Sequence, residues 1–206
     1  MSLLKRNLKA LSAFLSRDGM RPILGSIHLT DTAAEATDSY KLARITRNAT
    51  EDLGDFPTVG GKRPITEPLD ICLEGDSVMR AVAGIPGNRR GTLPILARAA
   101  IIEDSDHYVS IATTDLTSST ITIVRKVEGT FPPCEQLLAE AKAGETYISF
   151  NAGFLKQLAA AYVTFGAKWV TIRIATPLKP AYFTAKNDSG ERMEAILMPV
   201  RDGEAA

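Results

Sequence analysis

Ala36-Thr37-Asp38-Ser39-Tyr40-Lys41-Leu42-Ala43 is the stretch on which the reading of this chain turns; it lies in a run of strand character from Ala36 to Ile45. Just upstream, Ile27 and Leu29 alternate with polar neighbours and read as another strand, closed by the polar turn Thr30-Asp31-Thr32. Residues 3–17 (LLKRNLKALSAFLSR) read as an amphipathic helix. At roughly 100° per residue, Leu4, Leu8, Leu11 and Leu15 fall in one stripe, and Gly19 supplies a stop.

Downstream, residues 48–68 are rich in Gly, Pro, Asp and Thr and read as an irregular loop. A strand at Leu69–Leu73 leads into a helix from Asp76 to Gly84, with Asp76 or Ser77 as N-cap. Two or three strands follow between Leu93 and Val127, with a turn at Asp104-Ser105-Asp106. Residues 128–144 form a connector whose second half is helical. A strand at Thr146–Phe150, a helix from Asn151 to Tyr162 capped by Asn151, and strands near 169–174, 180–185 and 193–198 complete the pattern. Strand, helix and further strands thus recur three times at about 65 residues per unit. This order predicts an α+β fold with helices gathered on one face of antiparallel sheets. The expected divisions are 1–127, a connector at 128–144, 145–201, and a loose tail at 202–206.

The chain has 206 residues, 45% of them hydrophobic and 23% charged, the balance of an ordinary globular protein. Its 24 basic and 24 acidic residues cancel, so any contact with nucleic acid must come from a local basic face. Cys72 and Cys134 are the only cysteines and form no CxxC pair, as expected of reduced thiols in the cytoplasm. Charge interrupts the N-terminal stretch at once and no run is long enough to span a bilayer, so neither signal peptide nor membrane segment is expected.

No catalytic constellation emerges. His28 sits in the alternation Ile27-His28-Leu29 and reads as an outward strand residue; neither it nor His107 has zinc-like spacing. Glu103, Asp104, Asp106 and Asp115 could hold a divalent cation for phosphodiester chemistry, but a solvated hairpin turn accounts for them. Gly60-Gly61-Lys62 lacks the first glycine of a phosphate loop, and Arg63 stands where Ser or Thr is needed. A binding protein without cofactor or metal is therefore expected. Its candidate DNA-contacting residues are Lys5, Arg6, Lys9 and Arg17, on a face without acidic partners, then Arg80, Arg89, Arg90 and Lys156. Such a face would hold phosphates without reading sequence.

Five stretches in order carry a resemblance. The chain resembles the bacterial DNA sliding clamp, the β subunit of the replicative DNA polymerase holoenzyme. Arg21-Pro22-Ile23-Leu24-Gly25-Ser26-Ile27 is similar to that family's RPxLxGI, residues 36–43 to its ATDGHRLA, and Glu128-Gly129-Thr130-Phe131-Pro132 to its EGxFPDY. Phe150-Asn151-Ala152-Gly153-Phe154-Leu155 is similar to its FNxxYL, and Met198-Pro199-Val200-Arg201 to its C-terminal MPxR. Ser39, Tyr40 and Lys41 replace Gly, His and Arg, Pro133 and Cys134 replace Asp and Tyr, and Gln136 stands at a basic position.

The resemblance implies a clamp fold of βαβββ units, two per domain, with helices lining a central hole. The chain matches the family's middle domain and only the second half of its final one, which suggests a shortened, phage-type version. The resemblance also implies a homo-oligomeric ring on double-stranded DNA at the replication fork. It further implies docking of a polymerase, and of a clamp loader, through short peptides. For that peptide site it points to Ile23, Thr37, Lys41, Leu42, Pro132, Leu137, Met198, Pro199, Val200 and Arg201. The alternatives are a clamp-derived adaptor or decoy that does not encircle DNA, and a metal-dependent nuclease built on the acidic turn.

Overall fold

The computed structural model describes residues 2–47, 56–86, 93–142 and 147–200. The chain forms two compact units, Met1–Leu138 and Ala139–Ala206, with the boundary inside one helix.

The first unit is built from two halves of the same design. One runs through β1 (Leu3–Lys5), a 3-10 helix (Arg6–Phe14), β2 (Ser26–Thr30), β3 (Ala33–Thr37) and β4 (Leu42–Thr46). The other runs through β5 (Asp70–Glu74), α1 (Gly75–Ala83), β6 (Arg98–Asp104), β7 (Tyr108–Thr114) and β8 (Ser119–Arg125). In both, a short 3-10 turn precedes the second strand, at Pro22–Gly25 and Pro94–Ala97, on the repeated tripeptide Pro-Ile-Leu.

The halves exchange their first strands. The two sheets have the orders β4-β3-β2-β5 and β1-β6-β7-β8, so β5 completes the first half's sheet and β1 completes the second's. All pairings are antiparallel, with Ile27 opposite Leu73 and Leu3 opposite Ala100. The segment leaving each half then crosses the outer face of the other half's sheet. Phe56 and Val59, after β4, pack with Leu3, Ala100 and Ile102; Phe131, after β8, stacks on His28 with ring centroids 5.0 Å apart.

One core fills the interior between both sheets and both helices, with Leu4, Leu8, Leu11, Ile27, Leu73, Val78, Val82, Ile101 and Ile111 buried. Each such side chain contributes roughly 1.5–3 kcal/mol.

The first element corrects the expectation for residues 3–17. Leu3–Lys5 are strand, and the helix that follows is 3-10 over nine residues and ends at Phe14. Such runs rarely exceed four residues. Here three residues per turn stack positions i and i+3 on one edge, and Leu8, Leu11 and Phe14 occupy it, the first two fully buried. The same period places Arg6 and Lys9 together on an exposed edge.

The run 36–45 is likewise two strands rather than one, broken by a hairpin at residues 38–41. The N-cap of α1 is Glu74 rather than Asp76 or Ser77, because Gly75 already begins the helix. A Cβ at Gly75 would lie 2.5 Å from Leu15 Cδ1 and 2.7 Å from the Gly25 carbonyl oxygen.

The second unit follows one half of that design. Residues 147–150 belong to no sheet among the described residues, where the sequence predicts a strand. They lead into α3 (Ala152–Thr164), whose N-cap Asn151 accepts hydrogen bonds from the Gly153 and Phe154 amides, as its residue type predicts. β9 (Thr171–Arg173), β10 (Ala181–Lys186) and β11 (Arg192–Leu197) form a sheet of order β11-β10-β9. Tyr162, Ala181, Phe183 and Ala185 make its core, with Phe150 edge-on to Phe183 at 6.1 Å. α2 (Cys134–Lys142) carries the unit boundary.

Gly75→Ala should lower stability by about 1–3 kcal/mol, since backbone and a packed leucine must both give way. Gly19→Ala, with open space around its Cβ, should leave the urea midpoint unchanged or slightly raised.

Candidate DNA-facing and partner-docking surfaces

The Ala36–Ala43 motif folds as a hairpin held by its own side chains. Thr37 Oγ1 donates to the Lys41 carbonyl at 2.9 Å and accepts from the Ser39 amide at 3.3 Å. Asp38 Oδ1 accepts from the Tyr40 and Lys41 amides, both at 3.0 Å. These bonds hold Ser39 at φ 77°, the left-handed region that side chains avoid.

The same device closes the β7–β8 hairpin, 77 residues on. Thr114 Oγ1 bonds the Ser118 carbonyl and the Leu116 amide, Asp115 Oδ1 accepts from the Thr117 and Ser118 amides, and Leu116 stands at φ 73°. The motif is therefore the turn of each half, and its two copies differ in what they display. Tyr40 is 96% exposed and Lys41 is exposed in the first, whereas Thr117 and Ser118 occupy the second.

Lys41 reaches back over Phe14, its Nζ 5.9 Å from the ring centroid, and pairs with Asp38. Beside it lies a hollow of about 410 Å³ lined by Ser12, Ala13, Leu15, Ser16, Arg17, Asp38, Tyr40 and Lys41. A second hollow of about 710 Å³ shares Ser12, Leu15, Ser16 and Arg17 with it and runs on to Pro22, Gly25, Glu74, Asp76, Arg125 and Val127. Neither follows from sequence spacing, because their walls come from the end of the 3-10 helix and the chain after it, a hairpin, the start of α1 and the end of β8. The hydrogen bond from Lys41 first, then the Tyr40 and Lys41 amides, hold the Asp38 carboxyl down at about 2.

Of the residues expected to contact peptide, Thr37 is buried and fixes the hairpin, Leu42 begins β4 half-buried, and Lys41 lines the smaller hollow. Ile23 is half-buried in the turn before β2, where a Cβ on Gly129 would lie 3.6 Å from it, so the connector runs across it. Pro132 is half-buried and Leu137 is exposed on α2. In the second unit, Met198 is exposed after β11, Pro199 and Val200 are half-buried, and the Val200 amide donates to the Ser149 carbonyl at 2.9 Å. Arg201 lies outside the described residues.

Of the residues expected to contact DNA, Arg6, Lys9 and Arg17 are exposed. Lys5 is placed differently: it is half-buried in β1, opposite Arg98, and burial with that neighbouring charge lowers its pKa. Arg80 is exposed on α1, tied through Ser77 Oγ to Glu74 by two bonds of 2.6 Å. The 3-10 helix and α1 pack side by side, which brings Arg6, Lys9 and Arg80 onto one helical layer. Lys156 is exposed on α3 in the second unit, and Arg89 and Arg90 lie outside the described residues.

The polar residues weighed for catalysis are engaged otherwise. His28 Nδ1 lies 3.0 Å from Glu35 and Nε2 2.8 Å from Asp70, so both ring nitrogens are taken. Cys72, His28, Glu35 and Arg44 stand opposite one another across β5, β2, β3 and β4. Phe131 covers His28, which is therefore not simply solvent-facing. Cys134 is buried near this row, and desolvation pushes its thiol up to about 11. Glu103 pairs with Lys62 at 2.6 Å and Asp104 with Lys126 at 2.5 Å, while Asp115 sits at the far end of β7. No group suited to a metal forms among the described residues. No helix among them is long and apolar enough to cross a membrane.

The architecture matches solved sliding clamps. The DNA polymerase sliding clamp of Pseudomonas aeruginosa superposes with TM-score 0.66 at 15% identity, over 96% of this chain and 50% of that one. That of Bacillus subtilis gives 0.66 at 13% identity, over 97% and 49%. The beta subunit from DNA polymerase of Streptococcus pyogenes gives 0.63 at 14%, over 97% and 50%. No family model and no curated protein matches the chain. The fold is thus the α+β clamp fold, and the chain spans about half the length of the clamps it matches.

The depressed Asp38 carboxyl fixes the sign of a pH effect. The hairpin's extra stability is present above the unfolded carboxylate value, about 4, and is lost as pH falls toward about 2. The Tyr40 and Lys41 amides should lose hydrogen-exchange protection over that window, and Asp38→Asn should abolish the transition.

Proposed function

We propose that this chain is a non-enzymatic processivity factor of the sliding-clamp type, which holds duplex DNA through phosphate contacts and tethers replication proteins through short peptides. The observation that carries this reading is the strand-exchanged clamp domain, whose two side-by-side helical elements turn Arg6, Lys9 and Arg80 outward on one layer. Long side chains on that layer suit backbone phosphate and carry no base readout, as a protein that slides requires. The zero net charge fits a basic layer offset by carboxylates on the sheets, such as Glu35, Asp70, Glu103 and Asp104. Arg17, Lys156 and, outside the described residues, Arg89 and Arg90 extend the basic set. Homo-oligomeric assembly into a ring around DNA belongs to the same reading, as does a cytoplasmic place at the replication fork.

Peptide docking is supported by the display of Tyr40 and Lys41 beside the hollow that holds Leu15. Ala13 and Leu15 are the apolar contacts open there to a Leu or Phe anchor, and Lys41 takes an acidic group of the peptide. Ile23, Leu42, Pro132 and Leu137 are further candidates in the first unit, as are Met198, Pro199, Val200 and Arg201 in the second. Polymerase, and a loader where one is required, are the partners that fit. A second reading, a clamp-derived adaptor that docks peptides without encircling DNA, is favoured by the second unit, whose described residues form one half of the clamp design. Retention on circular but not linear duplex DNA supports the ring; equal loss from both supports the adaptor.

Binding to duplex DNA, followed by fluorescence anisotropy, should be independent of sequence and fall linearly with the logarithm of salt concentration. Arg6→Glu combined with Lys9→Glu should weaken it at least about tenfold and reduce the salt slope by about 2. Unchanged affinity would refute the assigned face.

A fluorescent peptide with Leu and Phe anchors should bind, and Lys41→Glu and Met198→Asp should each weaken it by about tenfold, ~1.4 kcal/mol. Titrating the two variants separately tests each group of residues on its own.

A further inference from the structure

The segment that leaves β8 stays on the first unit as a strap. Lys126 pairs with Asp104, and the Val127 amide donates to the Cys72 carbonyl of β5 at 2.8 Å. Gly129 then passes against Ile23, and the Phe131 ring lies on the His28 imidazole with centroids 5.0 Å apart and planes 32° from parallel. Cys134 is buried at the start of α2, and Glu135 after it lies 3.9 Å from the Arg44 guanidinium. The contacts of the strap through Phe131 and Glu135 thus both end on one polar row across the sheet.

That row alternates in sign. Asp70 of β5 lies 2.8 Å from His28 Nε2, and His28 Nδ1 lies 3.0 Å from Glu35 of β3. Glu35 Oε1 lies 3.4 Å from Arg44 Nε of β4, and Glu135 of α2 comes last. Carboxylates facing both ring nitrogens need an N–H on each, and only the imidazolium carries two. Glu35 is the buried member, and a buried carboxylate is stable only when paired; His28 and Arg44 supply a cation on either side of it. A charged imidazole also attracts the face of the Phe131 ring more strongly than a neutral one. Cys72, opposite His28 on β5, and Cys134, near Glu35 and Arg44, are thiols raised by desolvation, so they add no charge to the row. Glu128, on the strap itself, is exposed.

We propose that His28 is the clasp of this strap: as an imidazolium it holds Phe131 to the sheet, and loss of its proton releases the strap from Gly129 to Cys134. Without that proton, one carboxylate faces a bare ring nitrogen. Glu35 is left to Arg44 alone, which draws the guanidinium away from Glu135, and the Phe131 ring loses the cation beneath it. The grip is therefore present with the imidazole protonated and is lost as pH rises through its titration. The boundary between the units falls inside α2, so release lengthens the free chain that joins them. The inference rests on the geometry of the first unit and on neither the DNA nor the peptide reading.

The buried Cys134 thiol reports the clasp. Its alkylation by N-ethylmaleimide in the full chain is followed by peptide mass spectrometry, which reads Cys134 apart from Cys72. Each rate is divided by that of the urea-unfolded chain at the same pH, which removes the reagent's own pH dependence. Protection should be at least about threefold greater at about pH 5.5 than at about pH 8.5, values that bracket an ordinary imidazole and leave carboxylates ionised. His28→Gln, uncharged throughout, should give the weaker protection at both values, and His28→Arg, charged throughout, the stronger. Phe131→Leu should lower protection at the acid value alone, and His107→Gln, in the exposed turn before β7, should change nothing. Hydrogen-exchange protection of the β7 amides, corrected in the same way, should not follow the change, which separates release of the strap from global unfolding. Equal Cys134 protection at both pH values in the wild type, a pH dependence that survives His28→Gln, or a parallel loss in β7 would overturn the proposal.

Discussion

Reciprocal exchange of the first strands is the constraint on which the first unit depends. β1 is three residues long and, among the described strands, pairs with β6, while β5 pairs with β2. Neither half therefore completes a four-stranded sheet from its own residues, and neither helix has a closed core beneath it until both halves are in place. The segments leaving β4 and β8 reinforce this by each covering the other half's sheet with an aromatic ring, Phe56 in one case and Phe131 in the other. Because these contacts join residues far apart in sequence, the loop-closure entropy must be met before most of the burial is gained. The unit is consequently cooperative, with one core in place of two half-cores.

Within that frame, the two Thr-Asp hairpins separate what the fold needs from what the surface offers. Both use a threonine hydroxyl and an aspartate carboxylate to hold a residue at positive φ, a conformation that costs of order 1–3 kcal/mol outside glycine. The structural part of the motif is thus Thr-Asp, present twice. Tyr40 and Lys41 are present once, where the hairpin adjoins the hollows along residues 12–17. The row Cys72, His28, Glu35 and Arg44 has a comparable double aspect: it places titratable groups side by side, yet every described bond among them ties strands together.

Legibility in the sequence followed the range of the interactions. Asn151 at its helix start and the turn at residues 104–106 depend on a few neighbouring residues, and both stand where the sequence puts them. The stripe Leu4, Leu8, Leu11 and Leu15 mixed two signals, because Leu4 belongs to a strand paired across the unit and the remaining burial has a period of three. The hairpin at 38–41 was hidden since Ser39 and Tyr40 are ordinary residues for a strand, and only the side-chain bonds of Thr37 and Asp38 permit the turn. Residues 147–150 have strand composition but join no sheet among the described residues, a difference that composition alone cannot register.

The sequence by itself determined the antiparallel α+β class and the recurrence of strand, helix and strands. These rest on periodicity, local capping and residue chemistry, which act over a few residues at a time. Tertiary structure alone decided which half each first strand joins, which lysines and arginines share a layer, and where Tyr40 and Lys41 meet a hollow. Those outcomes depend on main-chain pairing between residues 48 and 97 positions apart, Ser26 with Glu74 and Leu3 with Ala100, and nothing local encodes the partner.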